Sequence, residues 1–70
     1  MRQFWITIKG APELDVSDKL WEDIKSDNVN LTVLEHKSYI YGQKDNATIL
    51  RILDKVLELG YRVEVEVSPE

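Results

Sequence analysis

The sequence predicts an α+β sandwich in which two helices cover one face of a four-stranded antiparallel sheet. Two observations carry that expectation. Hydrophobic periods alternate along the 70 residues in the order β-α-β-β-α-β, and every change of period but one falls at a glycine, proline, asparagine or aspartate cluster. Taken right-handed, the two βαβ crossovers interleave so that the first and third strands lie in the middle of the sheet.

Each element has its own warrant. Phe4, Ile6 and Ile8 alternate with Gln3, Trp5, Thr7 and Lys9, which is a strand with one buried face. Gly10-Ala11-Pro12 ends it, because proline has no N–H to give the ladder. A helix is expected from Val16 to Lys25, with Val16, Leu20 and Ile24 as its apolar stripe and Trp21 widening it. Asp15 or Ser17 is its expected cap, and Asp15 and Asp18 suit the positive end of the helix dipole. Ser26-Asp27-Asn28 reads as a turn.

Val29 to Lys44 favours strand throughout, which is long for a single strand in a small domain. The polar run Glu35-His36-Lys37-Ser38 is where the chain is expected to break into a hairpin. A helix from Ala47 to Leu59 follows, capped by Asp45 or Asn46 and stopped by Gly60 in the left-handed region. Ile49, Ile52, Leu53 and Val56 form its buried stripe. Leu50 and Leu57 add a second stripe, expected to meet the first helix or a second subunit. Tyr61, Val63, Val65 and Val67 alternate with Arg62, Glu64, Glu66 and Ser68, a half-buried strand ended by Pro69. This element order is that of the ferredoxin-like sandwich, with residues 1–70 as a single domain.

Composition removes several kinds of chemistry. There is no cysteine, so neither a disulfide nor a thiolate zinc site is available. The single histidine, His36, excludes a multi-histidine site within one chain and reads as a solvated turn residue. No cofactor is expected. Met1-Arg2-Gln3-Phe4 lacks the pattern of a signal peptide, and no apolar run approaches the roughly 20 residues of a membrane span. A cytoplasmic setting without membrane contact is therefore expected. The net charge of −4 disfavours nucleic acid, whose phosphates repel an acidic chain at long range. Residues 13–27 hold six acids against two lysines, a pattern expected of a solvated outer helix face.

The two-layer topology leaves one sheet face uncovered. Residues alternating toward it are Trp5, Thr7 and Lys9; Thr32 and Leu34; Tyr39, Tyr41 and Gln43; and Arg62, Glu64 and Glu66. Trp5, Tyr39 and Tyr41, with Leu34 as support, are the candidate binding residues, because contiguous exposed aromatics mark interaction surfaces. A one-residue slip near His36 would instead turn both tyrosines inward and Ile40 outward. Burying three such rings removes roughly 500 Å² and contributes on the order of 10 kcal/mol gross. Association itself costs about 4–15 kcal/mol, so the rings alone give weak binding.

A protein partner or a homodimer is the expected occupant of that face. The alternative is a single strand of nucleic acid. The placement of Trp5, Tyr39 and Tyr41 resembles that of the RNA-recognition motif, which stacks bases on aromatics of the first and third strands. The signature of that motif's third strand is absent from His36-Lys37-Ser38-Tyr39-Ile40-Tyr41-Gly42-Gln43. Acylphosphatases of the same fold class use a glycine-rich loop and an arginine between the first strand and first helix. Here that stretch is Gly10-Ala11-Pro12-Glu13-Leu14-Asp15, acidic and without arginine. Neither catalytic nor metal-ligating residues are expected.

Overall fold

The computed structural model describes residues 1–9 and 14–69. Its elements are β1 (Arg2–Lys9), α1 (Leu14–Ile24), a 3-10 turn (Lys25–Asp27), β2 (Asn30–Leu34), β3 (Lys37–Lys44), α2 (Asn46–Leu57) and β4 (Arg62–Val67). The strands form one four-stranded sheet in the order β2-β3-β1-β4, with every neighbouring pair antiparallel. The first and third strands are therefore central, as expected. Among the described residues, no helix is long and apolar enough to cross a membrane.

The core follows from the alternation. Phe4, Ile6 and Ile8 of β1 and Ile40 of β3 are buried beneath Leu20 and Ile24 of α1 and Ile49, Ile52 and Val56 of α2. Leu53, Leu59 and Tyr61 close its margins. Gly42 lies opposite Phe4, and a Cβ there would meet the Phe4 ring at 3.6 Å.

Three boundaries differ from the sequence reading. α1 begins at Leu14, so Asp15 and Ser17 lie inside its first turn and not at its cap. The residue before Leu14, and the strand stop at Gly10-Ala11-Pro12, lie outside the described residues. The N-cap of α2 is Asp45, and Asn46 is already helical. The Thr48 hydroxyl donates to the Asp45 carboxylate and holds its pKa below the usual range. α2 ends at Leu57, two residues early, and the chain turns through Gly60 at φ 80°.

A further correction is the hairpin. Only Glu35 and His36 form the turn, while Lys37 and Ser38 belong to β3 and Ser38 is buried. Glu35 and His36 have φ of 50° and 65°, the two positive values of a type I′ turn. That turn suits the right-handed twist of the strands, which is why it forms, but its usual residues are Asn-Gly. A side chain held left-handed costs roughly 1–2 kcal/mol. Glu35→Asn with His36→Gly should therefore raise stability by about 1–2 kcal/mol. The urea midpoint reads this directly; an unchanged or lower midpoint would show that the turn carries no strain.

Candidate functional site

The sheet register lays out the uncovered face residue by residue. Across one row, Asn30, Tyr41, Trp5 and Glu66 are cross-strand neighbours. The next row is Thr32, Tyr39, Thr7 and Glu64. A third row begins with Leu34 opposite Lys37 and ends with Lys9 opposite Arg62. Because Ser38 faces Ile8, Lys37 follows beside Lys9 in the same antiparallel register. Both tyrosines thus point away from the core, and Ile40 points into it.

Trp5, Tyr39 and Tyr41 come together. The Trp5 ring stacks on Tyr41 at 4.7 Å between centroids and 25° between planes. It meets Tyr39 at 5.5 Å and 47°. Such pairs are worth about 0.5–1.5 kcal/mol beyond the area they bury. The Tyr41 hydroxyl lies 3.4 Å from that of Thr32, which ties the stack to β2. Although no helix among the described residues covers this face, Thr7 is only 9% exposed, because the rings on one side and Lys9 with Glu64 on the other close over it. The aromatics are therefore a packed layer whose outer surface remains open, with Trp5 41% exposed. Beside Trp5 an open depression of about 450 Å³ is lined by Gln3, Tyr41, Gly42, Glu66 and Val67 among others.

Leu34 lies elsewhere. It is exposed on the edge strand at the hairpin end, opposite Lys37 and diagonal to Tyr39, and so does not adjoin Trp5.

Charge on the face is sorted by row. Lys37, Lys9 and Arg62 share the hairpin end, and Glu64 and Glu66 follow along β4. Lys9 donates to the Glu64 carboxylate. That bond and the Lys9 charge hold the Glu64 pKa below its ordinary 4.5, with smaller help from Lys37 and Arg62. A depressed carboxyl contributes its stability above the ordinary value and loses it as pH falls through the folded one. Followed by its side-chain carbon signal, Glu64 should titrate below 4.5, and Lys9→Met should move that midpoint upward. No upward movement would mean that the pair does not form. Alternation along the strands already turns Lys9 and Arg62 toward this face; that they share one row with Lys37 comes from the strand register. Among the described residues, no group of three or more histidines and carboxylates is placed to hold a metal ion.

No family model matches this chain, and no curated protein sequence matches it. Solved structures do. The chain is similar to the crystal structure of acylphosphatase from Bacillus subtilis, with a TM-score of 0.74 and 10% identity over 100% of this chain and 88% of that one. The fold is ferredoxin-like. A second similar structure is a de novo designed protein, Foldit4, with a TM-score of 0.59 and 17% identity over 99% of this chain and 97% of that one. The ferredoxin-like fold is thus shared by an enzyme and a designed chain, and at these identities the likeness extends to the fold alone.

Proposed function

We propose that this chain is a non-catalytic interaction domain of residues 1–70 that binds protein through the open face of its sheet. The observation that carries the reading is the stack of Trp5 on Tyr41, packed on the central strands yet open to solvent. An apolar aromatic centre within a polar rim, here Asn30, Thr32, Gln43 and Glu66, is the anatomy of a protein interface. Trp and Tyr are also the residues that most often anchor one. A cytoplasmic setting goes with this reading.

The experiment selects peptides on the folded chain from a random display library and measures them against variants. Peptides that bind the wild type should bind Trp5→Ala and Tyr41→Ala about tenfold or more weakly. Binding indifferent to both substitutions would remove the open face from the reading.

A single nucleic-acid strand is the second reading, favoured by the Lys37–Lys9–Arg62 row beside the rings. Glu64 occupies Lys9, and Glu66 faces Trp5, so the positive groove that stacking needs is interrupted. Oligonucleotide affinity falling steeply with salt would favour this reading over the first.

Catalysis of the acylphosphatase kind is not expected, since Gly10-Ala11-Pro12-Glu13-Leu14-Asp15 carries two acids and no arginine. Acetyl phosphate should be hydrolysed no faster with the chain than in buffer; turnover abolished by a substitution in this stretch would overturn the non-catalytic reading.

A further inference from the structure

A second apolar surface lies on the opposite layer, at the outer edge of the sheet. Leu50 and Leu57 of α2 are 64% and 55% exposed, and Val65 and Val67 of β4 are 39% and 40% exposed. The half-buried Thr48 and Lys55 share one flank of α2 with Arg51, which pairs with Asp27 of the 3-10 turn that follows α1. At 3.6 residues per turn, Leu50 and Leu57 fall on the opposite flank, away from α1. α2 packs over β1, and the strand beyond β1 on that side is β4. The two leucines therefore overhang the β4 edge, whose core-facing Val65 and Val67 no helix among the described residues fully covers. The expected second stripe of α2 does not meet α1.

Among the described residues, the backbone of that edge is open as well. The Ser68 N–H bonds the Gln3 carbonyl at 3.0 Å, and Glu66, Glu64 and Arg62 follow at alternate positions facing β1. By the alternation of an antiparallel ladder, the N–H and C=O groups of Val63, Val65 and Val67 then point outward. No proline or lysine guards residues 62–67, the devices that usually blunt an edge.

We propose that a second copy of this chain occupies this edge, joining β4 to its symmetry mate as the centre of an eight-stranded sheet. Side-chain charge and the length of strand paired together fix the register. With Glu64 on the two-fold axis, Arg62 faces Glu66 of the mate twice, and Val63 exchanges hydrogen bonds with the mate's Val65. A shift of one residue on each strand toward the C-terminus puts Glu64 opposite Glu66 twice, and the same shift toward the N-terminus leaves only residues 62–64 paired within the strands. The carboxylates meeting on the axis are each already held by their own Lys9. The two copies of α2, each over its β1, stand about three strand spacings of roughly 4.8 Å apart. That is wider than the 8–10 Å of packed helices by about the depth of the leucines between them. This contact takes only the β4 column of each open face and leaves the Trp5, Tyr39 and Tyr41 rings free, so it stands or falls separately from the proposed function.

Sedimentation equilibrium from low micromolar to near-millimolar concentration tests it. The wild type should dimerise, and Leu50→Glu with Leu57→Glu should weaken the dimer about tenfold or more while the exposed positions leave folding intact. Arg62→Glu and Glu66→Arg should each weaken it, and the two together should restore it, a recovery that a merely unfolded variant does not give. A monomer at every concentration overturns the proposal. So does a dimer sensitive only to Val33→Lys on the β2 edge, or only to Trp5→Ala on the open face.

Discussion

Ile6→Ala should cost about 2–5 kcal/mol and bring the chain to the margin of unfolding at room temperature. Ile6 is fully buried at the middle of β1, opposite Ile40 on one side and Val65 on the other. Its side chain is shared by both central strands and the helix layer, so deletion opens a cavity that few neighbours can move to fill. The total available is small. A domain of this length removes only about 60% of its unfolded surface from water, and typical stabilities are about 0.05–0.15 kcal/mol per residue. Without cysteine, no cross-link offsets the loss. Val65→Ala, at a half-exposed position on the edge strand, should cost about 1 kcal/mol or less. Urea midpoints of the two variants should differ widely; similar midpoints would place the core elsewhere.

Trp5→Ala should abolish most binding to the open face and also lower stability by about 1–3 kcal/mol. Two ring contacts disappear together, to Tyr41 and to Tyr39, and Thr7 loses its cover. Trp5→Phe separates the two effects. A phenyl ring keeps a partner for Tyr41 and should recover most of the stability, while a binding site shaped to the larger indole recovers only in part. If both variants bound as the wild type does, the stack would be a purely structural layer on the sheet.

Much of this was legible in the residues. The alternation of Phe4, Ile6 and Ile8 with Trp5 and Thr7 fixed the inner face of β1, because period two leaves no other assignment. A central β3 leaves the side of Tyr39 and Tyr41 open to a one-residue slip, and it is the pairing of Trp5 with Tyr41 and Thr7 with Tyr39 that puts both on the Trp5 side. The hairpin tip was hidden because Glu35 and His36 are not turn residues; strand twist imposes on them a conformation that neither prefers. The polarity of Ser38 points to a loop, yet the residue occupies a core-facing position of β3. Leu34 has the right parity but the wrong neighbours, since alternation gives the face and not the distance along it. The cation row and the overhang of α2 depend on strand order and helix placement, which no local pattern encodes.

The most direct test of the open face uses the two tryptophans, which lie on opposite layers of the molecule. Trp5 belongs to the open face, and Trp21 lies on α1. Their indole N–H signals can be followed in one NMR titration with a library-selected peptide. The Trp5 signal should move with the peptide and the Trp21 signal should stay in place. Movement of Trp21 with Trp5 unchanged would place the binding surface on the helices and contradict the proposed function.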